Sequence, residues 1–299
     1  MADRRRARIR RIIDPMHVEP GSRVRLSRDF DPGDTGKYVK KAEAKTALAE
    51  GVTMLSELQA KLAAQDTYGL LVIFQAMDAA GKDGTIRHVM SGVNPQGVRV
   101  HSFKQPSNEE LDHDYLWRAA QRLPARGEIG IFNRSYYEEV LVVRVHDAIL
   151  DGQKLPPSAR KGDVWKRRYR EINDWEHYLV DQGFPIVKLF LNLSREEQRQ
   201  RFLSRIDEPQ KNWKFSAADA RERRYWDDYQ RAFEQMLSNT STAWAPWHVI
   251  PADHKWYMRV AAASAIIDAL MKIDPQWPTV SEEDRADMAA AGEELRADD

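Results

Sequence analysis

The chain has 299 residues with 46 lysines and arginines against 46 aspartates and glutamates, so its formal net charge is zero and any anion site must be local rather than global. It has no cysteine, which excludes disulfides and thiolate metal sites and suits a cytoplasmic protein. No apolar run approaches the roughly 18 residues of a membrane span, and the arginine-rich start at 4–11 leads into no apolar segment, so neither membrane nor nucleic acid is expected as a partner.

Residues 1–36 carry Asp14-Pro15, Glu19-Pro20-Gly21 and Asp31-Pro32-Gly33, turn chemistry dense enough to predict an irregular arm over the body. From 38 to 64, Val39, Ala42, Ala49, Val52, Leu55, Leu58 and Leu62 recur at helical spacing and predict one or two amphipathic helices. Residues 1–66 therefore read as an arm and helices packed on a core that begins at 67.

The core opens with Leu70-Leu71-Val72-Ile73-Phe74, short, uninterrupted and apolar, as expected of a parallel strand buried on both faces. Ala76 to Asp83 fits the phosphate-loop pattern G-x-x-x-x-G-K-[ST] at Gly81 and Lys82, with Ala76 at the first glycine and Asp83 at the hydroxyl position. Such a loop turns backbone N–H groups inward around an anion, and Ala79, Ala80, Gly81 and Gly84 have no side chains to obstruct that. Lys82 adds a point charge. The helix that follows, carrying Thr85, adds the positive end of its dipole. Asp78 is the unusual residue: a carboxylate in an anion loop is repelled by its ligand unless a divalent cation lies between, so it reads as a metal or catalytic residue. Alternatively the stretch is an ordinary strand, turn and helix with Lys82 solvated.

A second strand is expected at 98–103, with Lys104 at its carboxyl end, where open α/β sheets bind ligands. A helix through Tyr115 to about Arg122 follows. The next strand, 128–132, delivers Asn133-Arg134-Ser135-Tyr136-Tyr137-Glu138. Strands of this kind commonly end in a metal-holding carboxylate, and here that position holds the amide of Asn133. The planar fork of Arg134 can take two phosphate oxygens at once, unless it pairs with Glu138 or Glu139. The basic stretch at 154–170 reads as a solvated helix flank.

Another buried strand spans 185–193, and Ser194-Arg195-Glu196-Glu197 is a capping box opening a helix. That helix presents Arg199, Arg201 and Arg205, breaks at Pro209, and is followed by Lys211, Trp213, Lys214 and Phe215. The excursion at about 199–222 is either a movable basic and aromatic lid or a salt-bridged hairpin. A helix over 220–237 with an aromatic stripe of core residues, a last strand at 247–250, a closing helix at 260–271 and an acidic tail at 281–299 complete the chain. Five strands alternating with helices, a phosphate loop after the first and a basic insertion before the last make an α/β P-loop kinase fold, with a five-stranded parallel sheet as the core at 67–280.

Within that fold, the stretches Phe74 to Thr85, Phe132 to Glu138, Trp213-Lys214-Phe215 and Arg224 to Tyr229 together resemble the family-2 polyphosphate kinases. The resemblance runs from about 35 to 272. It implies a thymidylate-kinase-like core with a helical lid and a reversible transfer of phosphoryl groups between inorganic polyphosphate and nucleoside mono-, di- or triphosphates. It further implies Mg²⁺, with Mn²⁺ as a substitute, and a homodimer or homotetramer. By position it gives Asp78 the role of loop carboxylate, Lys82 that of phosphate-cradling lysine, Arg134 that of the arginine after the third strand, and Arg199, Arg201, Arg205, Lys211 and Lys214 those of lid cations. Lys104, Arg118 and Arg122 are then expected walls of a polyphosphate channel. Many members have aspartate at the position of Asn133; the subgroup with Asn-Arg-Ser-Tyr-Tyr-Glu is associated with monophosphate as well as diphosphate acceptors. Glu138 is expected to hold a metal or water that serves the shorter acceptor. Two rival functions share these features in part. An ATP-dependent nucleoside or nucleotide kinase would carry Ser or Thr at 83 and an acid at 133, and a non-catalytic nucleotide or polyanion sensor would have no need of Asp78.

Overall fold

The computed structural model describes residues 2–36, 38 and 40–297. Its centre is β1 (Leu70–Ala76), in which every residue is buried because both faces of the sheet are covered. Around it lie β2 (Val98–Ser102), β3 (Ile129–Asn133), β4 (Ile186–Asn192) and β5 (Trp247–Pro251), all parallel, in the spatial order β2-β3-β1-β4-β5. The five-stranded parallel sheet expected from the strand pattern is present. Alternate β1 residues divide between two cores: Leu70, Val72 and Phe74 on one face, Leu71 and Ile73 on the other, as the two-residue pleat requires.

On the first face pack α1 (Ala2–Ile13), α2 (Lys41–Gln65), α3 (Lys82–Val89) and α8 (Lys255–Ile273), contributing Ile9, Leu55, Leu62, Ile86 and Ile266. On the second pack α4 (Val164–Asp181) and α7 (Trp226–Thr240), contributing Ile172, Leu179, Phe233 and Met236. Between β4 and α7 the chain makes the excursion α5 (Arg195–Asp207), a 3-10 turn at Pro209–Lys214 and α6 (Ala217–Glu222). This is an α/β P-loop kinase architecture. Because β1 runs on to β2 on one side while β3 crosses to β4 on the other, the crevice lies at the carboxyl ends of β1 and β3.

Several expectations are corrected. The start of the chain is not irregular: α1 is a helix, because the turn residues begin only at Asp14, and Ile9 and Ile13 above them share one face and bury it. Val39 lies outside the described residues, and the remaining positions fall on the single helix α2. The basic stretch at 154–170 is not wholly solvated: Arg168 is buried, bonding Glu139 at 3.0 Å and Glu171 at 2.9 Å. The helix expected over 220–237 is interrupted at Arg223–Tyr225, with arginines at the end of α6 and Asp227 and Asp228 in the first turn of α7, each charge suited to its helix terminus. The box at Ser194 is half formed: its hydroxyl accepts from the Glu197 amide, whereas its own N–H donates to Asp253 at 2.8 Å. The tail is an exposed helix, α9 (Glu282–Ala297). Among the described residues no helix is long and apolar enough to cross a membrane.

Candidate active site

The loop after β1 is shaped by two residues with left-handed backbone, Ala79 at φ 65° and Gly81 at φ 102°. Gly81 is the N-cap of α3, so the first free N–H groups of that helix open beside the loop. A side chain at Gly81 would be strained by its φ and would meet Met258 at 3.3 Å. Lys82 is buried, its ammonium donating to the carbonyls of Ala76 at 3.1 Å and Met77 at 3.4 Å. Burial, and after it the nearby Arg134 guanidinium, bring its pKa down to about 8. Thr85 is buried and its hydroxyl donates to the Gly81 carbonyl.

At the neighbouring strand end, Arg134 has φ 64°, a conformation costly for a non-glycine residue and typical of functional clamps. Its N–H donates to the Phe74 carbonyl at 3.0 Å, which fixes the turn against β1. From there its guanidinium reaches Asp78 at 2.5 Å and Glu138 at 3.4 Å. Two regions 56 residues apart in sequence are thus joined across the crevice. Asn133, paired in register with Phe74 of β1, donates to the Asp83 carboxylate at 2.5 Å. An acid therefore stands beside the amide at the third strand's end, supplied from position 83 of the loop.

The small pocket in front of Asp78, Arg134 and Glu138 is completed by residues that sequence reasoning left in the core or the hairpin: Gln198, Asp219, Glu222, Arg223 and Tyr229. Gln198 is buried and donates to the Asp78 carbonyl at 3.0 Å. Tyr229, expected as a core aromatic, has a buried ring whose hydroxyl donates to Glu222 at 2.6 Å. Burial and the nearby Asp78 carboxylate push Asp219 above the usual carboxylate range. A sequence signal existed in Arg224 to Tyr229, but helical periodicity alone cannot tell a buried ring from one with its hydroxyl at a pocket wall.

The hairpin cations are distributed unevenly. Arg201 does not face the pocket as a free cation: its guanidinium donates to the loop carbonyls of Ala79 at 3.1 Å and Ala80 at 2.7 Å, and to Ala252 and Asp253 beyond β5 at 2.6 and 3.1 Å. Those bonds fix the backbone of the loop at Ala79 and Ala80, and the Ala80 N–H in turn donates to the Met77 carbonyl at 3.4 Å. Arg199 pairs with Glu196 on the exposed surface, Lys211 bonds Glu208 and Ser204, Arg205 reaches Asp219 at 3.6 Å, and Lys214 lies over the Trp213 ring at 4.9 Å. Arg118 is also corrected: it is buried, donating to the Lys104 carbonyl at 2.9 Å over the Phe103 ring, and it braces that loop. Lys104 and Arg122 are exposed.

Among the described residues no three carboxylate or imidazole groups converge closely enough to hold a metal by themselves. For Mg²⁺ this is ordinary, because it takes one or two carboxylates and fills its octahedron with water and substrate phosphates. The oxygen-only donors Asp78 and Glu138, both partly exposed at the pocket, fit that requirement.

Comparison with known proteins identifies the family. Residues 38–278 match the family model Polyphosphate kinase 2. The chain is 50% identical over 259 residues to an ADP-polyphosphate phosphotransferase of Rhodopseudomonas palustris, covering 86% of this chain and 90% of that one. It is 47% identical over 262 residues to an AMP/ADP-polyphosphate phosphotransferase of Meiothermus ruber, covering 87% and 94% respectively. The crystal structure of polyphosphate kinase 2 from Arthrobacter aurescens TC1 superimposes with a TM-score of 0.83 at 40% identity, covering 93% of this chain and 98% of that one. With the phosphate loop, the arginine turn after β3 and the excursion before α7 all inside the matched span, the chain belongs to the polyphosphate kinase 2 family.

Proposed function

We propose that the protein is a polyphosphate-dependent nucleotide kinase, moving phosphoryl groups reversibly between inorganic polyphosphate and nucleoside mono- and diphosphates, AMP and ADP among them. The observation that carries the reading is the convergence of Lys82, Arg134 and Asp78 around one crevice from two strand ends. Phosphoryl transfer asks little covalent chemistry of a protein; it asks for in-line alignment and for neutralisation of charge on the equatorial oxygens. The free N–H groups at the start of α3 cradle the phosphates. Lys82 exchanges its carbonyl partners for phosphate oxygens, and Arg134, released from Asp78, offers both arms of its fork to the group in flight. Asp78 and Glu138 would hold Mg²⁺, which would neutralise phosphate charge. The segment at 199–222 acts as the lid: Arg205, Lys211 and Lys214 trade their present partners for the polyanion, and Trp213 and Phe215 exclude water. The bond broken in polyphosphate and the bond formed in the nucleoside di- or triphosphate are both phosphoanhydrides, so neither direction is forbidden.

Glu138 sits where it can decide acceptor length. With a monophosphate the attacking oxygen lies one phosphate unit deeper, and Glu138 would hold a metal or water there to orient it. The alternative role for Glu138, a structural pairing with Arg134 or Arg144, is met in part: Glu138 pairs with Arg134 at 3.4 Å, whereas Arg144 bonds the Tyr169 hydroxyl. Initial rates with polyphosphate or ATP as donor and AMP or ADP as acceptor test the whole reading. Turnover with polyphosphate and both acceptors is expected; turnover with ATP alone, or none, contradicts it.

A further inference from the structure

Behind Arg134 lies a charged network sealed from water. Glu176 of α4 and Lys188 of β4 are both fully buried and bond at 2.6 Å. Glu176 also accepts the hydroxyls of Tyr136 and Tyr137, each at 2.7 Å through the same oxygen. Lys188 donates in addition to the Thr240 carbonyl of α7 at 2.5 Å and to Tyr137 at 3.1 Å. One node thus ties together β4, α4, α7 and the short turn Tyr136–Val140 that follows Arg134.

A buried ion pair is a poor stabiliser, because desolvation of two charges commonly offsets their attraction and an apolar replacement of similar volume is often neutral. Lys188 stands in a strand made, apart from its terminal Asn192, of Ile, Val, Leu and Phe, where an apolar replacement would fit. What the charges add is direction. The two tyrosines lie two and three residues after Arg134, which is held at φ 64°, and backbone strain of this kind persists only where the surroundings over-determine it. A second anchor acts on the same turn: Gln75, fully buried on β1, donates to Ser135 Oγ at 3.2 Å, and that oxygen accepts the Tyr137 N–H. Ring packing alone would leave the tyrosines free to slide along the core, whereas two hydroxyls meeting on one carboxylate oxygen fix both rings.

We propose that Glu176 and Lys188 are positioning residues for phosphoryl transfer: through Tyr136 and Tyr137 they hold the strained turn that aims the Arg134 guanidinium at the transferring group. This rests on the assignment of Arg134 above. It predicts a kinetic role for residues whose side chains are wholly inside the core and touch no part of the pocket.

The test is a variant in which the network is replaced by apolar groups together, Glu176→Leu, Lys188→Met, Tyr136→Phe and Tyr137→Phe, so that none of these four positions leaves an orphan charge, with Tyr137→Phe alone as the mild companion. Circular dichroism and melting establish folding, and kcat and KM are measured with polyphosphate and ADP well below the melting temperature. The expected result is a folded protein with kcat lower by roughly 10- to 100-fold, as for a small displacement of a catalytic group, and KM for polyphosphate within about threefold. Should the multiple variant not fold, Tyr137→Phe is expected to lose about tenfold in kcat while folded. Wild-type kcat in either folded variant overturns the proposal. Arg134→Ala is measured beside them: if it loses turnover while the network variants do not, only the positioning role fails, and if it keeps turnover the assignment of Arg134 fails first.

Discussion

Lys82 is held in an environment that makes its charge conditional. Its pKa, brought to about 8 chiefly by burial, means that the free enzyme carries an ammonium below that pH and a neutral amine above it. Phosphate binding needs the ammonium, so kcat/KM for polyphosphate should fall as pH rises through about 8, a limb that belongs to the free enzyme and that should disappear in Lys82→Arg. A profile flat from pH 7 to 9.5 would contradict the lowered pKa of Lys82. Arg134→Ala should lower kcat by on the order of 10³, the scale of arginine stabilisation of a transferring phosphoryl group. Asp78→Asn should lose activity that excess Mg²⁺ does not restore. Glu138→Ala should depress AMP phosphorylation much more than ADP phosphorylation; an unchanged ratio of the two kcat/KM values refutes the acceptor-length role.

Among the elements, α5 separates two arginines that sequence reading placed in one class. Arg199 and Arg201 are two residues apart and cannot share a helix face, so unequal effects follow from spacing alone, but the direction of each needed coordinates. Arg201, its side chain only 7% exposed, bonds four main-chain carbonyls across the phosphate loop and the end of β5. Its replacement by alanine leaves those carbonyls without a donor, and urea denaturation should show a loss of stability on the order of 3 kcal/mol together with loss of turnover. Arg199→Ala, removing an exposed pair with Glu196, should stay within about 0.5 kcal/mol and near wild-type rate. Equal effects at the two positions would contradict the clamp. The strands were legible in the sequence because burial on both faces writes a continuous apolar run, and the phosphate loop because a run of small residues ending in Gly81-Lys82 directly after such a strand is what backbone coordination of an anion demands. The helix α1 was not, since the arginines between its isoleucines read as polar arm rather than as the outer face of an amphipathic helix. Nor were Gln198, Glu222 and Tyr229, whose place at the pocket depends on how the excursion folds back over the sheet.

For the whole molecule, zero net charge and a polyanionic substrate are reconciled by partition rather than by excess. Each cation at the crevice has a protein partner in this structure: Arg134 with Asp78 and Glu138, Lys82 with two carbonyls, Arg205 with Asp219, Lys211 with Glu208. On the proposed function such pairs would keep the site folded without substrate and release cations to arriving phosphates, at a cost that falls mainly on the exposed, weakly held ones. The fold supplies the rest by bringing the ends of β1 and β3 to one crevice and by suspending the 195–222 excursion next to it. The most direct measurement is ³¹P NMR of the protein with polyphosphate, Mg²⁺ and AMP as the sole nucleotide, run in parallel with Lys82→Ala shown by circular dichroism and melting to be folded. The account predicts that the β-phosphate resonance of ADP grows in the first tube and is absent from the second; no ADP from the wild type, or equal ADP from both, would contradict it.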